Sequence, residues 1–67
     1  MNSHRPLRFA YPVQEAAEAA GIGRTALYEA IRTGKLIARK YGRRTLIASD
    51  DLKAFVENLP PVKPTLR

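Results

Sequence analysis

A mostly α domain with one small β-hairpin, ordered helix, helix, hairpin, helix, is the fold class that this 67-residue sequence predicts. Three observations predict it. Apolar residues recur at i, i+3, i+4 spacing in three separate stretches. A glycine closes each of the first two stretches and a proline pair closes the third. Between the second and third, β-branched and aromatic residues flank a central glycine and the helical period is lost.

Residues 1–10 are polar, contain Pro6 and show no period, so they read as a flexible N-terminal arm, with Phe9 and Tyr11 able to dock on the core. Tyr11 precedes Pro12 and is biased towards an extended backbone. Pro12 suits a first helical position, where its missing N–H would have no partner in any case. Val13, Ala16, Ala17 and Ala20 then form the apolar side of a first helix, with Gln14, Glu15 and Glu18 facing away. Alanine on that side lets a neighbour approach closely, and Gly21 is a natural left-handed stop.

Ile22 and Gly23 make a very short connection, with Gly23 as N-cap of a second helix over about residues 24–33 that ends at Gly34. Helical spacing puts Ala26, Leu27, Ala30 and Ile31 on one side, Thr25, Glu29 and Arg32 opposite, and Tyr28 at the boundary. Two such helices joined by a three-residue turn containing glycine form a helix-turn-helix arrangement. Residues 36–41 and 43–47 read as the two strands of the hairpin, with its tip at Tyr41-Gly42-Arg43 and with Leu36 and Ile47 inward. Ser49 is the expected N-cap of a third helix, and Asp50 and Asp51 suit its first turn. Leu52, Phe55, Val56 and Leu59 repeat the period until Pro60-Pro61 ends it, and residues 60–67 read as a disordered tail. A lone hairpin is unstable in water. The expected shared core is therefore Leu27, Ile31, Leu36, Ile47, Leu52, Phe55 and Val56.

Size and composition narrow the function. One domain of this length buries only about 60% of its unfolded surface. The sequence holds no cysteine and a single histidine, His4, which reads as a solvated arm residue. Neither a disulfide nor a thiolate or imidazole metal site is expected, and no cofactor is implied. Six scattered carboxylates, one histidine and no glycine-rich phosphate loop offer no catalytic set. An enzyme is not expected, and neither is a small-molecule ligand. The apolar runs are a few residues long, too short for a membrane span, and no secretory pattern follows Arg5 and Arg8. A cytoplasmic protein is the expectation.

The net charge of +6 is segregated. Residues 24–44 carry seven cations and one acid, while 11–23 and 45–60 each have a net charge of −2. A basic segment between two acidic ones marks a working surface for a polyanion.

Val13-Gln14-Glu15-Ala16-Ala17, Gly21-Ile22-Gly23-Arg24-Thr25-Ala26-Leu27-Tyr28 and Ile31-Arg32-Thr33-Gly34-Lys35-Leu36 resemble the helix-turn-helix of the excisionase family. This is a compact branch of the MerR-like winged-helix DNA-binding proteins. Gly42-Arg43-Arg44-Thr45-Leu46-Ile47 and Ser49-Asp50-Asp51-Leu52 resemble the same family's wing and closing helix. The likeness covers residues 11–59 and implies a winged helix-turn-helix domain over that span. Two positions depart from the family: Pro12 stands where it usually has a Ser or Thr cap, and Gly23 where it usually has Ser before the second helix. Both changes weaken capping and leave the fold intact. With no long C-terminal helix and no cysteine, the coiled-coil dimer and the metal or drug sensing of full-length MerR regulators are not implied.

The implied function is sequence-specific binding of double-stranded DNA. By analogy it serves an excisionase, with an integrase or neighbouring copies of itself as partners, or a small transcription regulator of a mobile element. In helix-turn-helix proteins the N-terminal part of the second helix reads base edges in the major groove. Arg24 and Thr25 are the candidates for bases or adjacent phosphates. Arg32, at the far end, is a candidate phosphate contact, and Tyr28 either packs at the core rim or bonds a phosphate. Arg39, Lys40, Arg43 and Arg44 cluster on the hairpin, where winged-helix resemblance places a tip along the minor groove. Glu29 has two readings, acceptance from cytosine N4 or an i, i+3 pair with Arg32, and the pair is preferred. A protein-interaction adaptor of antitoxin type, laying the basic strip on an acidic protein, is the alternative class. RNA is less suited, because the few aromatics are needed for the core.

Overall fold

Along residues 8–62, the part of the chain that the computed structural model describes, six elements follow one another: β1 (Ala10–Pro12), α1 (Val13–Ala20), α2 (Arg24–Arg32), β2 (Arg39–Tyr41), β3 (Arg44–Ala48) and α3 (Ser49–Glu57). Three helices thus accompany one antiparallel sheet of order β1-β3-β2. The architecture is a winged helix-turn-helix, as the sequence predicts, with one strand more. The expectations for His4, Arg5 and the last residues of the tail lie outside the described residues.

The extra strand is β1. Ala10, Tyr11 and Pro12 pair with Ala48, Ile47 and Leu46. Ala10, read from sequence as part of the arm, is therefore a sheet residue. Three residues are too few to show an alternating pattern, so the strand was invisible until β3 supplied its partner. Two expected caps move as a consequence. Pro12 ends β1 as the N-cap of α1, with φ −59° and ψ 157°, instead of entering the helix. At the other end of the ladder the Ser49 N–H donates to the Phe9 carbonyl at 2.8 Å. The cap of α3 is Ala48, and Ser49 is already helical.

Between α1 and α2 the chain reverses on a hydrogen-bonded stop. Gly21 takes φ +70°, a left-handed backbone that strains any residue with a Cβ. Its N–H donates to the Glu18 carbonyl (3.2 Å) and that of Ile22 to the Ala17 carbonyl (3.0 Å). This pair of bonds is a Schellman motif, and it satisfies carbonyls that the helix end would otherwise leave open. Ile22 is then pinned against the core. The second helix closes the same way: the N–H groups of Gly34 and Lys35 donate to Ile31 and Ala30.

The core is small. Val13, Ala16, Ala17, Leu27, Ala30, Leu36, Ile47 and Leu52 are buried, with Tyr11, Ala20, Ile22, Ile31, Ala38 and Phe55 packed around them. Leu27 and Ile47, both 0% exposed, are the two large side chains fully enclosed. Every element except β2 contributes. Val56, expected in this core, is 40% exposed. Leu52 is the one buried residue of α3, so the later turns of that helix run past the edge of the core. Ala26, expected on the buried side of α2, is exposed, because it sits about a quarter turn away from the Leu27–Ala30–Ile31 stripe.

Candidate nucleic-acid interface

Burial of one side of α2 decides what the other side offers. Leu27 and Ala30 face inward with Ile31 beside them, which leaves Arg24, Thr25, Glu29 and Arg32 exposed and Tyr28 half exposed. The four helix candidates thus stand on one element, clear of the core. Arg24 opens the helix directly after Gly23, which caps it with extended backbone and no side-chain bond. It also lines an open depression at the α1–α2 junction with Gln14, Ala17, Glu18, Gly21 and Ile22.

Arg32 is engaged. Its Nε–H donates to Glu29 Oε1 at 3.2 Å and its Nη2 donates to Oε2, so the carboxylate grips the guanidinium fork on both sides. The i, i+3 pair preferred for Glu29 is therefore formed. Thr33 helps close the helix, its hydroxyl donating to the carbonyls of Glu29 (2.9 Å) and Ala30 (3.3 Å).

The ribbon is shorter than its sequence pattern. Residues 36–38, read as strand, lie outside β2: Leu36 turns into the core, while Ile37 is exposed. The last turn of α2 occupies the approach, since the Leu36 N–H donates to the Ala30 carbonyl at 3.1 Å. Pairing starts at Arg39, with Arg39, Lys40 and Tyr41 opposite Leu46, Thr45 and Arg44. Gly42 and Arg43 form the two-residue tip. Gly42 has φ +60° and no residue other than glycine has a positive φ among the described residues, the pattern of a type II′ turn.

That register sorts the wing cations. Paired residues share a face of the sheet and successive residues alternate. Arg39, Tyr41, Arg44 and Leu46 stand on one face of the ribbon. Lys40 and Thr45 stand on the other, the face that carries Ile47 and Tyr11 nearer the core. Arg43 projects from the turn. The ribbon brings its four cations to one narrow support, divided between two faces and a tip.

They also differ in what they are bound to. Arg39 Nε donates to Asp51 Oδ2 of α3 at 3.1 Å. Arg24, Lys35, Lys40, Arg43 and Arg44 take part in no ion pair among the described residues. Arg8 is also paired. Its guanidinium pairs with Glu15 at 2.6 Å and lies 5.4 Å from the centre of the Tyr11 ring, tying the start of β1 to α1. Sequence reasoning missed both the Arg8 clamp and the Asp51 contact. The first depends on β1. The second spans twelve residues, a separation that no local spacing rule reaches.

α2 and the ribbon are linked through the interior, where Leu27, Leu36 and Ile47 belong to one cluster against the alanines of α1. The depressions at the α1–α2 junction and beside Arg8 and Tyr11 are open, and the described residues hold no group of three or more potential metal ligands. Basic and polar side chains displayed on a helix and a ribbon are an arrangement for meeting an extended anion.

Comparison with known proteins agrees. No curated protein and no solved structure gave a significant match, whereas residues 11–60 match the family model of a helix-turn-helix domain. The match begins within β1, runs through both helices and their turn, and continues past the ribbon to the end of α3, so the chain belongs to the helix-turn-helix domain family, a family of DNA-binding domains.

Proposed function

We propose that the chain binds double-stranded DNA in a sequence-specific way, as an excisionase-type architectural factor or as a small transcription regulator of a mobile element. One observation carries this reading. Six cations have no ion-pair partner among the described residues; Lys53 stands on α3, and the other five, Arg24, Lys35, Lys40, Arg43 and Arg44, lie on or between two elements anchored in a single core. Unneutralised charge on so small a body repels itself, and an anion relieves that repulsion.

In this reading α2 enters the major groove with Arg24 and Thr25 at base edges. Arginine can hold guanine O6 and N7 with two bonds, and the threonine methyl can meet a thymine methyl. Tyr28 and Arg32 face phosphate, the latter oriented by Glu29. Lys40, Arg43 and Arg44 carry the ribbon against the neighbouring minor groove, where narrow segments concentrate negative potential. Phosphate contacts supply affinity and base contacts supply choice. Neighbouring copies on adjacent sites and an integrase are the partners that an excisionase role requires.

The test is a duplex-binding titration at several salt concentrations, followed by selection from a random DNA pool with footprinting of the selected sites. If about five phosphates are neutralised, log affinity against log salt falls with a slope of about −4 to −5. A flat salt response contradicts the electrostatic part. No shift of random duplex at micromolar protein and low salt would instead select the adaptor class, in which the basic strip meets an acidic protein. Tandem footprints separate the architectural role from an isolated operator.

A further inference from the structure

Strand β2 is the least supported element in the molecule. Its three residues are all exposed, and β3 is the one element it packs against extensively. β1 accompanies β3 only from Ala48 to Leu46, so the sheet is two-stranded from there to the tip, and two-stranded ribbons are marginal on their own. The ladder to β3 and the Gly42 turn hold β2 along its length, and β3 is itself fixed by β1 and by buried Ile47 as far as Leu46.

One further link exists. Arg39, the first residue of β2, donates to Asp51, the third residue of α3, at 3.1 Å. The two ends are unlike in setting: the arginine side chain is 63% exposed and the aspartate 20%. Asp51 is therefore a sheltered carboxylate on a firm support, since α3 follows β3 without an intervening residue and buries Leu52 next in sequence. The chain from Arg39 through the turn to Asp51 closes into a ring. Its clasp lies at the base of the ribbon, opposite the tip.

We infer that Asp51 is a positioning residue for the wing, and that Arg39 serves as its strut to α3 instead of as a phosphate contact. The inference deepens the DNA-binding reading and rests on it for its functional arm. Of the four ribbon cations, Arg39 is then structural, while Lys40, Arg43 and Arg44 are left to face the polyanion.

The sign of one substitution decides the matter. An acid that merely stood near DNA would repel phosphate, and its removal would raise affinity. An acid that holds the wing in place would lower affinity when removed, although the protein becomes more positive. The experiment compares Asp51→Asn, Arg39→Gln, the double variant and the control Asp50→Asn, which removes the same charge at the exposed neighbouring position. Duplex affinity is measured against salt, and hydrogen exchange of the β2 and β3 amides is measured in the free protein.

Asp51→Asn and Arg39→Gln should each weaken binding by about three- to fivefold, the scale of one ion pair. The double variant should be no worse than either, the salt slope should stay as in the wild type, and Asp50→Asn should bind no more weakly than wild type. Exchange of the Arg39 and Tyr41 amides, which face β3 in this register, should quicken in both single variants. A gain in affinity for Asp51→Asn overturns the inference. So does a salt slope lowered by about 0.9 for Arg39→Gln, the signature of a lost phosphate contact. Should the wild-type protein bind no duplex, the DNA-binding reading fails by itself, and the exchange measurement alone decides whether the clasp exists.

Discussion

Helix α2 and the β2–β3 ribbon display similar side chains on unlike supports. The helix has an inner side, with Leu27 fully enclosed and Ala30 buried, and its far end is sealed by the Thr33 hydroxyl and the turn at Gly34. The ribbon has no such side at its outer strand, because β2 buries nothing. Packing holds the helix, whereas backbone pairing, one glycine and one ion pair hold the ribbon's outer strand. The difference teaches how the two would share recognition. A rigidly seated helix can present Arg24 and Thr25 with the accuracy that base edges demand. A lightly held ribbon can follow the backbone of whatever duplex the helix selects.

The strongest way to break this contrast is to remove the helix's anchor. Leu27→Ala should destabilise the domain by about 3 kcal/mol or more, because the surrounding alanines cannot close the cavity. In a domain of this size that is a large share of the total stability. Loss of the cooperative thermal transition by circular dichroism, with loss of DNA binding, is the expected outcome. A variant that melts like the wild type would show that α2 is not held as described.

A smaller effect separates choice from affinity. Arg24→Ala should lower discrimination between a selected site and a one-base variant by about 1–3 kcal/mol, if Arg24 makes a two-bond contact to guanine. Arg43→Ala should instead weaken matched and mismatched sites alike and reduce the salt slope by about 0.9. Fluorescence anisotropy on both duplexes at three salt concentrations reads both quantities. Equal behaviour of the two variants would dissolve the division of labour between helix and ribbon.

The smallest effect sharpens the account of the ribbon itself. Gly42→Ala places a Cβ on a backbone with φ +60°, with open space around it, so the penalty is conformational and not steric crowding by neighbours. About 1 kcal/mol should be lost locally. Amide exchange should quicken in the ribbon and stay unchanged in α1 and α2. Spread of the effect into the helices would mean that the ribbon is tied to the core more firmly than its exposed outer strand implies.

Local signals were legible before any coordinates. Gly21 and Gly34 mark helix ends because few other residues accept the left-handed backbone there, and Gly42 marks the turn for the same reason. Leu27 and Leu52 read as core from their helical spacing, Leu36 and Ile47 as the inward residues of the hairpin, and all four are buried. The Glu29–Arg32 pair follows from i, i+3 geometry on a helix. What failed to show was non-local. Val56 obeys the helical period yet lies beyond the core, and a period carries no information about where the neighbours end. Ser49 has the chemistry of a cap, but the Phe9 carbonyl takes its N–H and the helix begins one residue earlier. β1 exists only because β3 offers it an edge.

From sequence alone, this chain determined three helices, one glycine-hinged ribbon, their order and the clustering of positive charge between two acidic flanks. Backbone preference and side-chain period act within a few residues, and every one of those features is local. Tertiary structure decided the third strand, the limits of the core and two of the ion pairs, Glu15 with Arg8 and Asp51 with Arg39. Even where such pairs are close in sequence, their formation depends on which faces packing leaves open. The Arg39–Asp51 clasp, formed across a hairpin and into a helix, appears only after the chain has folded.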